Sequence, residues 1–138
     1  MAVDGQTVGS IGRGFVVLLG VRQGDTDQDA ELLAAKTAQL RIFPDEADKM
    51  NLSLLDVAGQ VLVVSQFTLY ADTRKGNRPS FIQSAPPDVA EALYQHYVGH
   101  LRRILGQGRV ATGVFRARML VEILNDGPVT IELSTDRN

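Results

Sequence analysis

Apolar positions along the chain fall into two rhythms. Short, nearly unbroken runs at "FVVLLGV" (Phe15 to Val21) and "VLVVSQFTLY" (Val61 to Tyr70) predict buried strands, the first of them central in its sheet. Val3 to Val8 alternates weakly and predicts a strand ahead of a turn at "SIGRG". In "DTDQDAELLAAKTAQLRIF" an Asp or Thr cap and acids in the first turn precede Leu32, Leu33, Lys36 and Leu40 at helical spacing, an amphipathic helix. "PPDVAEALYQHYVGHLRRIL" opens on prolines, then repeats apolar residues at 89, 93, 97, 101 and 105 with a second row at 90, 94 and 98. That is a long helix, stopped by Gly106 and Gly108. Strand-like segments follow from Val110, over Met119 to Leu124 and over Val129 to Leu133, the last two joined by a turn at "NDGP".

The resulting order, β, β, α, β, α, β, β, β, predicts an α/β fold: a mixed, largely antiparallel sheet or open β-barrel carrying two amphipathic helices. The 138 residues, 44% of them apolar, suit a single domain over 1–138. Cysteine is absent, which removes disulfides, thiolate metal sites and cysteine nucleophiles. The amino terminus lacks a basic region followed by an apolar one, and no apolar run has membrane-spanning length, so a soluble, cytoplasmic protein with no membrane partner is expected.

Charge is segregated. Residues 1–72 hold five Lys or Arg against ten Asp or Glu, whereas 73–121 hold eight against two. The net charge of −2 therefore hides a basic stretch suited to a phosphate-bearing partner. Solvated arginines on a helix and two loops explain the same stretch without a ligand.

The strand at 61–70 carries Ser65, Gln66 and Thr68 at its centre. Strand alternation would put Gln66, Thr68 and Tyr70 on one face and Ser65, Phe67 and Leu69 on the other, so polar groups would need partners on both faces. Thr68 or Ser65 as a nucleophile requires a base, and the only histidines, His96 and His100, lie at i, i+4 on the long helix with no nucleophile-elbow motif. The pair lacks the following Glu of a zincin helix, so no metal is expected. "NDGPVTI", Asn125 to Ile131, reads as a turn; its Gly-Pro step is also a place where a cis peptide presents bare carbonyls. No phosphate-loop glycine pattern is present.

Together, "LRIFPDEADKMNLSLLDV", "VLVVSQFTLYADTRKGNRPSF", "APP" and "NDGPVTI" resemble the D-aminoacyl-tRNA deacylase family, over nearly the whole chain. Ser65 to Tyr70 and Asn125 to Thr130 match the family's two signature motifs residue for residue. The resemblance implies a cofactor-free homodimeric hydrolase, a proofreading enzyme of translation, that cleaves D-amino acids or mischarged glycine from the 3′-terminal adenosine at the acceptor end of tRNA. Ser65, Gln66, Phe67 and Thr68 would surround the scissile ester, and Phe115 and Met119 would lie beside the adenosine. The Gly127-Pro128 turn, cis, would enter the partner's pocket and reject an L side chain by clash. The ribose 2′-OH would assist the attack, so that no protein base is required.

Two departures from the family pattern stand out. A first strand of about a dozen residues ahead of Val3 is missing, a length typical of a strand and its turn, and Arg116 stands where the family usually has glycine. The alternatives are a nucleic-acid-binding module of the same fold that has lost hydrolysis, and a general esterase using Thr68 with a histidine.

Overall fold

Two successive crossovers through long helices organise the chain, whose computed structural model describes residues 1–135. At the start, β1 (Ala2–Val3) and β2 (Gln6–Thr7) form a short antiparallel ribbon. Asp4 and Gly5 both take positive φ there (50° and 79°), the turn that suits the right-handed twist of paired strands. β3 (Gly14–Leu19) then leads through α1 (Asp27–Gln39) and a small ribbon of β4 (Phe43–Pro44) and β5 (Met50–Leu52) to the one-turn helix α2 (Leu54–Val57). β6 (Gln60–Ser65) follows, a 3₁₀ turn covers Phe67–Tyr70, and α3 (Pro87–Leu105) crosses back to β7 (Val110–Thr112).

The main sheet has the order β3-β6-β7 with both pairings parallel, Leu19 lying opposite Ser65 and Val63 opposite Thr112. The α/β class therefore holds, and among the described residues no barrel closes. Among the described residues antiparallel pairing is confined to the two ribbons and three isolated bridges, Ala2 with Leu120, Arg22 with Ser84 and Asp72 with Ser80. Parallel pairing follows from the helices, since only a long crossover can return a strand in the same direction. β6, not the Phe15 run, is central, and its Val61, Leu62, Val63 and Val64 are buried on both faces. Val61 and Val63 join the core with the helices, whereas Leu62 meets the 8–12 segment near Gly9.

α3 matches its sequence pattern: Leu93, Tyr94, Tyr97, Val98, Leu101 and Leu105 are buried. α1 does not. Its capping box forms between Thr26 and Asp29, but the buried stripe is Ala30, Ala34, Thr37 and Ala38, and Leu32 is 62% exposed. Small side chains let α1 approach α3 closely, which the hydrophobicity of leucine does not. The seam carries one buried polar pair, the Thr37 and Tyr97 hydroxyls 2.8 Å apart, with Thr37 also donating to the Leu33 carbonyl at 2.7 Å. Burial pushes the Tyr97 phenol up to about 12.

Two further expectations are corrected. The strand predicted to Tyr70 ends at Ser65, so the inferred alternation of Gln66, Thr68 and Tyr70 against Phe67 and Leu69 does not exist. The segments 119–124 and 129–133 form no strand and no hairpin among the described residues; Leu120 alone bridges to Ala2. A strand needs a neighbour to satisfy its backbone, and beyond the Leu120 bridge these segments find none among the described residues. Among the described residues no helix is long and apolar enough to cross a membrane.

Candidate functional site

Ligands of parallel sheets gather where the strands' carboxyl ends open into loops, and the signature residues lie at that edge. Ser65 ends β6 opposite Leu19, and the Gln66 amide donates to the Leu19 carbonyl at 2.8 Å. The chain then tightens into the 3₁₀ turn, with Leu69 N–H donating to the Gln66 carbonyl (3.3 Å) and Ala71 N–H to that of Thr68 (3.1 Å). Tight packing supports the turn: a β-carbon on Gly20 would come within 3.1 Å of both the Leu69 Cβ and the Tyr70 ring. Ser84 Oγ donates to the Phe67 carbonyl at 3.1 Å from the far side of the loop.

These constraints turn Phe67 and Thr68 outward. Phe67 is 58% exposed and meets Phe81 edge to face, ring centroids 5.0 Å apart. Gln66 Nε2 donates to Thr68 Oγ1. The backbone N–H groups of Phe67 and Thr68, at the start of a turn with no side-chain cap, have no acceptor among the described residues. Among the described residues no histidine or carboxylate hydrogen-bonds the Thr68 hydroxyl, and His96 Nε2 instead meets Glu31 Oε1 on α1 at 3.1 Å.

Phe115 and Met119 arrive from the loop after β7. Gly113 N–H donates to the Val63 carbonyl at 3.3 Å, which ties that loop to the end of β6. Phe115 packs on Tyr94, centroids 5.8 Å apart, and Tyr94 in turn donates to the same Val63 carbonyl at 3.3 Å. Burial raises the Tyr94 phenol above its ordinary pKa. The Met119 and Met1 sulfurs crowd the open side of Gly113. Six of the eight predicted residues thus belong to adjacent strand ends.

The other two stand apart. Gly127-Pro128 is cis, as expected, and the turn is exposed. Its polar contacts are internal: Val129 N–H donates to Asn125 Oδ1 at 2.9 Å, and Asn125 Nδ2 donates to Thr130 Oγ1 at 3.3 Å. No hydrogen bond joins it to Ser65–Thr68 among the described residues. On either side of it in the sequence, Leu120 (77%), Ile123, Leu124 (91%) and Ile131 leave apolar surface exposed.

The basic loop is closed by Asp72 and Ser80, whose backbones exchange bonds of 2.7 and 2.8 Å. Arg74 forks onto Asp72 (3.0 and 2.7 Å) and holds that carboxyl down at about 2. Arg74 is therefore committed, and Lys75 and Arg78 form the exposed basic part of the loop. Sequence reasoning missed Phe81, Ser84, Gly20 and Tyr94. Each acts through a contact across the fold, for which no local signal exists.

Comparison with known proteins sharpens the picture. Residues 1–134 match the family model described as D-Tyr-tRNA(Tyr) deacylase. The chain is 60% identical over 136 residues to a D-aminoacyl-tRNA deacylase of Anaeromyxobacter dehalogenans (strain 2CP-C), covering 98% of this chain and 89% of the relative. It is 58% identical over 131 residues to one from Heliobacterium modesticaldum (strain ATCC 51547 / Ice1), covering 95% and 86%. The solved structure of a c-Myc DNA Unwinding Element Binding Protein superposes with a TM-score of 0.92 at 40% identity, over 98% of this chain and 91% of that one. That of a probable eukaryotic D-amino acid tRNA deacylase shares the fold at a TM-score of 0.63 and 19% identity, over 75% and 74%.

Proposed function

Because the chain belongs to the D-Tyr-tRNA(Tyr) deacylase family, we propose a division of labour for its reaction in which protein backbone and RNA supply the chemistry. The enzyme is a D-aminoacyl-tRNA deacylase, a hydrolase. In the proposed arrangement the ester lies over Ser65, Gln66, Phe67 and Thr68, with the terminal adenosine against Phe115 and Met119. Water adds to the ester carbonyl carbon, and the unpaired N–H groups at Phe67 and Thr68 face the oxyanion that forms. The intermediate collapses with release of the 3′-oxygen, which takes up a proton, and the vicinal 2′-OH assists attack in place of a side-chain base. The observation that carries this reading is a signature loop whose hydroxyl, among the described residues, is hydrogen-bonded to Gln66 and to no base.

Selection falls to Gly127-Pro128 of a second copy. The turn is self-contained and exposed, and the exposed apolar residues that flank it in the sequence are surface that another subunit would cover. Its carbonyls then occupy the space an L side chain needs, and a hydrogen in that place escapes rejection. Mischarged glycine is accordingly a substrate in this scheme, and the setting is cytoplasmic translation.

The test is single-turnover deacylation of D-Tyr-tRNA and L-Tyr-tRNA. The D ester should be lost at least about 100-fold faster. Equal rates would sink the chirality gauge. Folded protein that binds tRNA without cleaving either ester would support the second reading, a nucleic-acid-binding module, which the likeness to a 40%-identical DNA Unwinding Element Binding Protein favours.

Thr68→Ala should retain activity within about tenfold of the parent, because removing a true nucleophile costs roughly 10⁴-fold or more. Abolished turnover with tRNA binding intact would make Thr68 the nucleophile instead.

A further inference from the structure

The turn after β7 places a cation where the backbone favours glycine. Arg116 has a φ of 67°, in a turn closed by Ala117 N–H donating to the Val114 carbonyl at 3.1 Å. A β-carbon in this left-handed region carries a steric penalty that glycine avoids. Nothing inside the chain offsets it: among the described residues Arg116 makes no hydrogen bond and no ion pair, and its side chain is exposed. Backbone strain kept without an internal contact to justify it is a reason to look for an external one.

The surroundings select its sign. From Ala92 to Val121 the sequence contains five arginines and no Asp or Glu. Exposure alternates along the loop: Phe115 and Met119 turn inward, against Tyr94 and beside Gly113, while Arg116 and Arg118 turn outward. One short loop thus offers apolar contact on one side and, among the described residues, an unpaired guanidinium on the other, the two kinds of group that a base and its nucleotide's phosphate call for. A guanidinium fork matches phosphate oxygens better than a point charge does.

We propose that Arg116 is a phosphate-binding residue that grips the 5′-phosphate of the terminal nucleotide, and so positions the ester-bearing adenosine. The assignment rests on the proposed placement of that adenosine against Phe115 and Met119. It makes Arg116 a positioning residue, acting on binding rather than on the chemical step.

The experiment compares 5′-AMP with adenosine as competitors for a fluorescent acceptor-stem hairpin ending in CCA, followed by anisotropy over a range of salt. In the parent protein AMP should compete better than adenosine, by about fivefold, and hairpin binding should weaken as salt rises. Arg116→Gly should abolish the AMP preference and reduce the salt slope by about 0.7, one single-strand phosphate contact. Its melting temperature should stay level or rise by about 2 °C. Arg116→Lys should keep the slope and part of the preference.

A folded Arg116→Gly protein with the parent's AMP preference and salt slope overturns the proposal. So does lower hairpin affinity with an unchanged slope, which would mean lost shape and not lost charge. Parallel deacylation assays on the parent separate the two readings: an inactive parent whose AMP preference still depends on Arg116 fails as a deacylase but retains the clamp.

Discussion

Gly14→Ala is expected to cost about 3–5 kcal/mol and to lower the melting temperature by roughly 10–15 °C. Gly14 opens β3 and pairs with Gln60 in the parallel ladder. A β-carbon there would overlap the Gln60 carbonyl oxygen and come within 2.6 Å of its carbon and 2.7 Å of its nitrogen. These are backbone atoms of the central strand, so relief requires moving β3 away from β6 and breaking the register that ends at Leu19 and Ser65. The cost therefore reaches the signature loop, since the Gln66 amide depends on the Leu19 carbonyl. Two other glycines calibrate the effect. At Gly12 the added carbon meets only the end of the Gln60 side chain, at 3.6 Å, and at Gly99, within α3, it meets nothing. Gly12→Ala should be nearly neutral, and Gly99→Ala should stabilise by about 0.5–1 kcal/mol. Thermal melts of the three variants check the series; a Gly14→Ala melt matching that of Gly12→Ala would show that the ladder does not demand glycine.

Gly127→Ala is expected to reduce the rate ratio between D- and L-aminoacyl-tRNA by about 100-fold, the range that one misplaced steric contact can command. Gly127 takes a φ of 139°, and a β-carbon would come within 2.8 Å of Val129 Cγ2 and 3.0 Å of the Val129 nitrogen. The turn must open to admit it. That displaces the Val129 N–H from Asn125 and moves the carbonyls proposed to exclude an L side chain. Because the turn makes no hydrogen bond to Ser65–Thr68 in its own chain among the described residues, the ester pocket should remain formed and D-ester hydrolysis should fall less than discrimination does. Paired single-turnover rates on the two isomers measure the ratio, and sedimentation at matched concentration establishes that the variant keeps its assembly state. Unchanged discrimination in a well-folded Gly127→Ala protein would remove the turn from the mechanism.

The sequence was most legible where local chemistry and environment agree. α3 has a prolyl start, two apolar rows and a glycine end, and it folds as its pattern dictates. The capping acids of α1 behave likewise, but its buried face does not follow from hydrophobicity, because the neighbouring helix decides whether alanine or leucine fits the seam. The run from Val61 to Tyr70 reads as one strand because Phe, Thr, Leu and Tyr suit a pleated surface. Close packing of Leu69 and Tyr70 on Gly20 accompanies the coil after Ser65, and no propensity scale registers a contact fifty residues away. The tail was misread for the opposite reason. Residues 119–124 and 129–133 have strand composition, yet pairing needs a neighbour, and beyond the Leu120–Ala2 bridge none is found among the described residues.

By itself the sequence determined the α/β class, the two long helices, the segregation of charge and the two signature segments, all of which are carried by residues close together along the chain. Tertiary structure alone decided that the main sheet is parallel with β6 at its centre, that Thr68 pairs with Gln66 while His96 pairs with Glu31, and that Arg116 holds a strained position with no hydrogen bond or ion pair among the described residues. The physical reason is range. Caps, periodicity and turns are settled within a few residues, whereas strand order, close packing and the isolation of a charge depend on which distant surfaces are brought together when the core is buried.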